Sequence, residues 1–152
     1  MMKNDLMKFD PALRRRARHY ALQALYQWQI SRNALSDIET QFRSEYDFSK
    51  TDVEYFQTLL HEVPQHIGEL ERSFEPLLDR AVKDLNPIEL TVLRMGAYEL
   101  AHRIDIPYKV VINEAVALAK KFGATDSHKY VNGVMDKLAQ QLRQVEVSAE
   151  RR

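Results

Sequence analysis

Four arginines stand within five residues, Arg14-Arg15-Arg16-Ala17-Arg18, in the first turns of an amphipathic helix. The dipole and free N–H groups of a helix start are positive, so cations packed there cost stability. The arrangement becomes favourable when phosphate arrives, because backbone N–H groups and guanidinium forks both bind it. A solubilising charged face is the other use of such a run. A second cluster spans Lys120-Lys121-Phe122-Gly123-Ala124-Thr125-Asp126-Ser127-His128-Lys129-Tyr130. Cations, two aromatic rings and hydroxyls gather there in a short turn between two helices. Single-stranded RNA recognition uses that mixture: cations for phosphate, ring faces for stacking, small polar groups for base edges. Phe122 continues the apolar register of its helix, which predicts burial. Tyr130 lies off its helix seam and is the better stacking candidate.

Other chemistries are poorly served. With no cysteine in the chain, disulfides, iron–sulfur clusters and thiol catalysis are excluded. Four isolated glycines leave neither a phosphate-cradling Walker loop nor a dinucleotide fingerprint. The histidines His19, His61, His66, His102 and His128 form no i, i+4 pair, so no metal site is expected. Glu62 and His66 share a helix face, as many solvated pairs do, and there is no Gly-x-Ser-x-Gly elbow. Nothing argues for an enzyme, and no cofactor is expected. No apolar run approaches the length of a membrane span. The start, MMKNDLMKFD, lacks the apolar core of a signal peptide, so a cytoplasmic chain is expected.

Charge is segregated along the chain. The 22 basic and 22 acidic residues cancel overall, but residues 1–33 carry a net +5, 34–105 a net −8 and 106–152 a net +3. Basic ends and an acidic middle suit two partners, one polyanionic and one basic.

The elements that must position these residues are helical. Asp10-Pro11 combines a capping carboxylate with a proline at the first helical position. Behind it Leu13, Ala17, Ala21, Ala24 and Trp28 recur at steps of three or four, giving a helix to about Ile30. Leu35, Ile38, Phe42 and Tyr46 make a short second one. Thr51 to Glu54 reads as a capping box, followed by an apolar register from Val53 to Ala81 that Pro64 and Pro76 should kink or break. Asn86-Pro87 opens a further helix that ends before Ile106-Pro107. Tyr108 to Phe122 carries so wide an apolar stripe that a position near the centre of a bundle is expected. Lys120, Lys121 and Gly123 close it. Thr125, Asp126 or Ser127 caps the last helix, with its seam of Val131, Val134, Leu138 and Leu142. The fold class is therefore all-α, a bundle of about six to seven helices. Residues 1–12 are expected to form a flexible arm, 13–145 one helical domain, and 146–152 a frayed tail.

Several blocks resemble the bacterial transcription antitermination factor NusB family. They are RRRAR-x2-A-x-QALY-x-W from Arg14 to Trp28, the YEL-ended block from Leu93 to Leu100, PYKVVINEAVALAKKFG from Pro107 to Gly123, and DSHKYVNGVMDKL from Asp126 to Leu138. The resemblance implies two three-helix bundles and binding of single-stranded boxA-type leader RNA jointly with the ribosomal protein NusE. It also implies assembly with RNA polymerase and other Nus factors, chiefly on ribosomal RNA operons. On this chain the RNA-binding positions fall on Arg14, Arg15, Arg16, Arg18, Lys121, Asp126, His128, Lys129 and Tyr130. The partner surface falls near Tyr26 and Glu89, with Glu89 expected on the outer face because Leu90 and Leu93 point inward. Basic ends would then meet RNA and the acidic middle the ribosomal protein. The longer N-terminus, with Lys3 and Lys8, departs from the family pattern. A protein–protein scaffold or homo-oligomer without specific RNA binding is the alternative reading.

Overall fold

A computed structural model describes residues 10–150, so Lys3, Lys8 and most of the expected arm lie outside it. Among the described residues there are α-helices and 3-10 turns and no strand. The chain divides into two compact units, Met1–Gln65 and His66–Arg152.

The first unit holds α1 (Pro11–Ser31), α2 (Leu35–Glu45) and α3 (Val53–Gln65). Asp10 caps α1 as its sequence predicts, its Oδ1 accepting the Ala12 N–H at 2.9 Å. Pro11 and Ala12 are therefore already helical rather than part of an arm. The α3 cap falls one residue later than the capping-box reading. Asp52 Oδ1, not Thr51, accepts the Tyr55 N–H at 3.0 Å, while the Asp52 N–H reaches the Leu13 carbonyl at 3.1 Å. That pair of bonds pins the start of α3 to the first turn of α1. Ala17, Ala21, Leu22, Ile38, Phe42, Phe56, Leu59 and Leu60 fill the core between the three helices. Phe48 closes one end, stacked on Tyr20 at 4.6 Å and edge-on to Phe56 at 4.9 Å. Pro64 sits in the last turn of α3, which stops one residue later.

The second unit holds α4 (Ile67–Phe74), 3-10 turns at Glu75–Leu77 and Val82–Asp84, α5 (Pro87–His102), α6 (Tyr108–Phe122), α7 (Ser127–Leu142) and α8 (Gln144–Glu150). Pro76 ends the α-helical register, so Leu77 and Ala81 fall outside α-helix. Asn86 Oδ1 accepts the Ile88 N–H at 2.8 Å and starts α5. The helix buried on nearly every side is α5, not α6: the run from Glu89 to Leu100 is buried except for the half-buried Arg94. Its hydrophobic stripe is less one-sided than that of α6 because there is no solvent face for polar residues to mark. Gly96 permits the close approach of α7, since a Cβ there would lie 2.5 Å from the Met135 methyl carbon.

The expected fraying from residue 146 is not observed. Arg143, buried between α7 and α8, donates to the carbonyls of Leu100 at 2.8 Å, Ile106 at 2.9 Å, Arg103 at 2.9 Å and Glu99 at 3.2 Å. Its charge is met by Glu146 at 2.7 Å, whose other oxygen accepts the Tyr108 N–H at 2.9 Å. Val147 is buried behind this network, so α8 is helical to Glu150. Arg143→Met keeps the stem but takes the side-chain donor from the carbonyls of Leu100 and Ile106 and the cation from Glu146, while those of Glu99 and Arg103 keep the N–H groups of Arg103 and Ile106. We expect it to cost about 3 kcal/mol, read as a lower urea midpoint.

Candidate nucleic-acid interface

The arginine run divides by face. At 100° per residue Arg14 and Arg18 lie one above the other and turn toward α3, while Arg15 and Arg16 turn outward. Arg18 is only 3% exposed, its guanidinium 5.4 Å from the Tyr55 ring centroid, which corrects its expected place in an outward-facing RNA surface. Arg14 lies 4.5 Å over the same ring, with Nε 3.6 Å from Asp52 Oδ2. Arg15 and Arg16 are exposed. Bonds from Ser49, together with the charges of Arg16 and Lys50, hold the Asp47 carboxyl below its ordinary range. Lys50 thus joins the exposed basic edge of this unit. Two arginines of the run, Arg14 and Arg18, pack on Tyr55, and the other two, Arg15 and Arg16, are exposed.

The turn between α6 and α7 brings together Lys121, Asp126, His128, Lys129 and Tyr130. Gly123 is needed at its start, because a Cβ there would come within 2.7 Å of the Ala119 carbonyl oxygen. Asp126 occupies the cap position of α7 without accepting a capping bond through its side chain. Its exposed carboxylate instead lies 3.6 Å from Lys129 Nζ. Ser127 turns inward, its hydroxyl donating to Glu89 Oε2 at 2.8 Å. Glu89 is 8% exposed, so the outer-face expectation fails: Glu89 and Leu90 are both buried, and it is Pro87 and Ile88 that take the half-buried positions of the first turn of α5. Tyr26, in the first unit, is 37% exposed and does present a surface.

Tyr130 is half-buried, and burial pushes its phenol up. One face of its ring is already covered by the Arg80 guanidinium, 4.4 Å from the centroid. Arg80 is in turn held by Asp79 through two bonds of 2.7 and 3.2 Å. Sequence reading missed Arg80, which reaches the turn from the loop between the two 3-10 turns. Phe122 is half-buried rather than enclosed, with Lys121 Nζ 5.7 Å from its ring centroid. Each aromatic of the turn therefore carries a cation beside its face, the pairing of charge and ring that single-stranded nucleic-acid sites use. Among the described residues no helix is long and apolar enough to cross a membrane.

A profile of the NusB family matches residues 15–140. The transcription antitermination protein NusB of Idiomarina loihiensis is 58% identical over 127 residues, covering 84% of this chain and 91% of that one. That of Pseudomonas savastanoi pv. phaseolicola is 53% identical and aligns over 100% of both chains. A solved structure of T. maritima NusB superposes with a TM-score of 0.71 at 27% identity, covering 84% of this chain and 90% of that one.

The buried position of Glu89 changes what its reversal should do. Glu89→Lys removes the acceptor of the Ser127 hydroxyl and sets a cation near Arg80, whose charge Glu89 now helps to balance. We expect a stability loss of about 2 kcal/mol or more by urea denaturation, with Glu89→Gln milder because its amide oxygen still accepts.

Proposed function

Since the chain belongs to the NusB family and is a transcription antitermination factor rather than an enzyme, we propose that it acts by holding single-stranded boxA-type RNA. Its partner in this is the ribosomal protein NusE, and the pair joins RNA polymerase with other Nus factors, chiefly on ribosomal RNA operons in the cytoplasm. The observation that carries this reading is the α6–α7 turn. There Lys121 and Lys129 are exposed for phosphate while Tyr130 and Arg80 form a ready-made stacking pair. In the first unit Arg15 and Arg16 supply further phosphate contacts. Arg14 and Arg18 act by fixing the helix that carries them. Tyr26 offers the exposed part of the surface for NusE. Glu89 contributes from below, by holding Ser127 and thus the start of α7.

The reading is tested by gel-shift titration of boxA-type RNA and a scrambled control, with and without NusE. Preference for boxA, strengthened by NusE, supports it. Equal, weak and salt-labile binding of both RNAs would favour a protein scaffold instead. Within that assay Arg15→Ala with Arg16→Ala should weaken all RNA and flatten the salt slope by roughly 0.7 per lost single-strand contact. Helix content should hold, since alanine is the better helix former. Arg18→Ala should instead lower stability, by about 1 kcal/mol, through the cover lost from Tyr55. Asp126→Asn removes an anion beside Lys129 without breaking a cap. RNA binding should tighten modestly at unchanged stability, and weaker binding would show that the carboxylate itself contacts a base.

A further inference from the structure

The geometry points to a binding site for a divalent transition-metal ion of the zinc type, formed in the second unit by His66, Glu69 and His102. One donor atom from each of the three side chains lies within 4.8 Å of the others. His66 precedes the first turn of α4, Glu69 follows three residues later on the same helix, and His102 is the last residue of α5. Two imidazole nitrogens and one carboxylate oxygen are the donors that such an ion prefers, with a fourth position left to water. Magnesium and calcium, which take oxygen ligands, fit this set poorly.

The site is partly assembled. His102 Nε2 and Glu69 Oε1 stand 3.0 Å apart, close to the roughly 3.3 Å that separates neighbouring donors on a tetrahedral zinc ion. The His66 and His102 rings are 4.3 Å apart at their centroids. His102 also stacks on Tyr98, 5.3 Å away and tilted by 24°, and Tyr98 is buried at 1% exposure. That ring fixes the plane of one imidazole, while the half-exposed Glu69 has room to close on an ion. The basic residues on either side have carboxylate partners of their own, Arg94 with Glu71 at 2.6 Å and Arg103 with Asp105 at 3.0 Å. A bound ion would clip the start of α4 to the end of α5. The site uses none of the residues assigned to RNA or to the protein partner.

The test is calorimetric titration of the full, tag-free chain with Zn2+, alongside Co2+ followed by its visible absorption. We expect one saturable equivalent, Co2+ bands of a low-symmetry nitrogen–oxygen site, and a rise in Tm with Zn2+. Loss of even an outlying hydrogen-bond partner costs a metal site about 10–100-fold in affinity. Hence His66→Ala, His102→Ala and Glu69→Gln should each weaken Zn2+ by at least about tenfold. Glu69→Gln alters only a half-exposed side chain, so it reads the site even if His102→Ala loosens the packing on Tyr98. The absence of a saturable equivalent, affinity unchanged in Glu69→Gln, or displacement of Zn2+ by equimolar Mg2+ would overturn the proposal.

Discussion

One buried guanidinium organises the second unit. The last carbonyls of a helix have no partner within it, and leaving them dry is expensive. At the end of α5 they are satisfied by Arg143, which also gathers the carbonyls of Arg103 and Ile106 and is neutralised by Glu146. Because Glu146 holds the Tyr108 N–H with its other oxygen, the same ion pair sets where α6 begins. The end of α5 and the start of α6 are thus fixed by one ion pair, whose carboxylate is carried by α8.

The candidate RNA-binding turn lies at the opposite end of α5 from this network. Its first turn presents Glu89 beneath Ser127, and the bond between them seats the start of α7. Above that bond lie the exposed Lys121, Asp126 and Lys129, and the half-buried Tyr130 with Arg80 over one face of its ring. A rigid helix below and a short polar turn above is a common division between stability and recognition. The first unit repeats it on a smaller scale. Tyr55 and Asp52 take Arg14 and Arg18 as struts, and Arg15 and Arg16 are held out at a fixed angle.

Much of this was legible in the sequence. Helix starts at Asp10-Pro11 and Asn86-Pro87 depend on local hydrogen bonds, and prolines end helices by removing a donor in place. Local rules therefore found them, together with the all-α class. What the sequence concealed were partners brought in from elsewhere. Arg18 and Arg16 look alike in a run of arginines, and only the position of Tyr55 separates them. Inward-pointing Leu90 and Leu93 suggest an outward Glu89, which fails because α5 is buried from Glu89 to Leu100 except at Arg94. Arg80 and Arg143 had no nearby pattern to mark them. A search for histidines four residues apart on one helix misses His66 and His102, which meet from two different helices.

The Arg143 network also imposes an order of events on synthesis. The carbonyl of Leu100 is made 43 residues before the side chain that satisfies it. At about 5–20 residues per second, that interval lasts roughly 2–9 s on the ribosome. During it α5, the most apolar of the described helices, has neither its guanidinium clamp nor α7 against Gly96. The core of the first unit, by contrast, is drawn from Ala17 to Val63 and is complete in sequence well before then. The nascent chain thus passes through a stage with a finished N-terminal half and a sticky, half-built successor, the stage at which a holdase chaperone has most to bind.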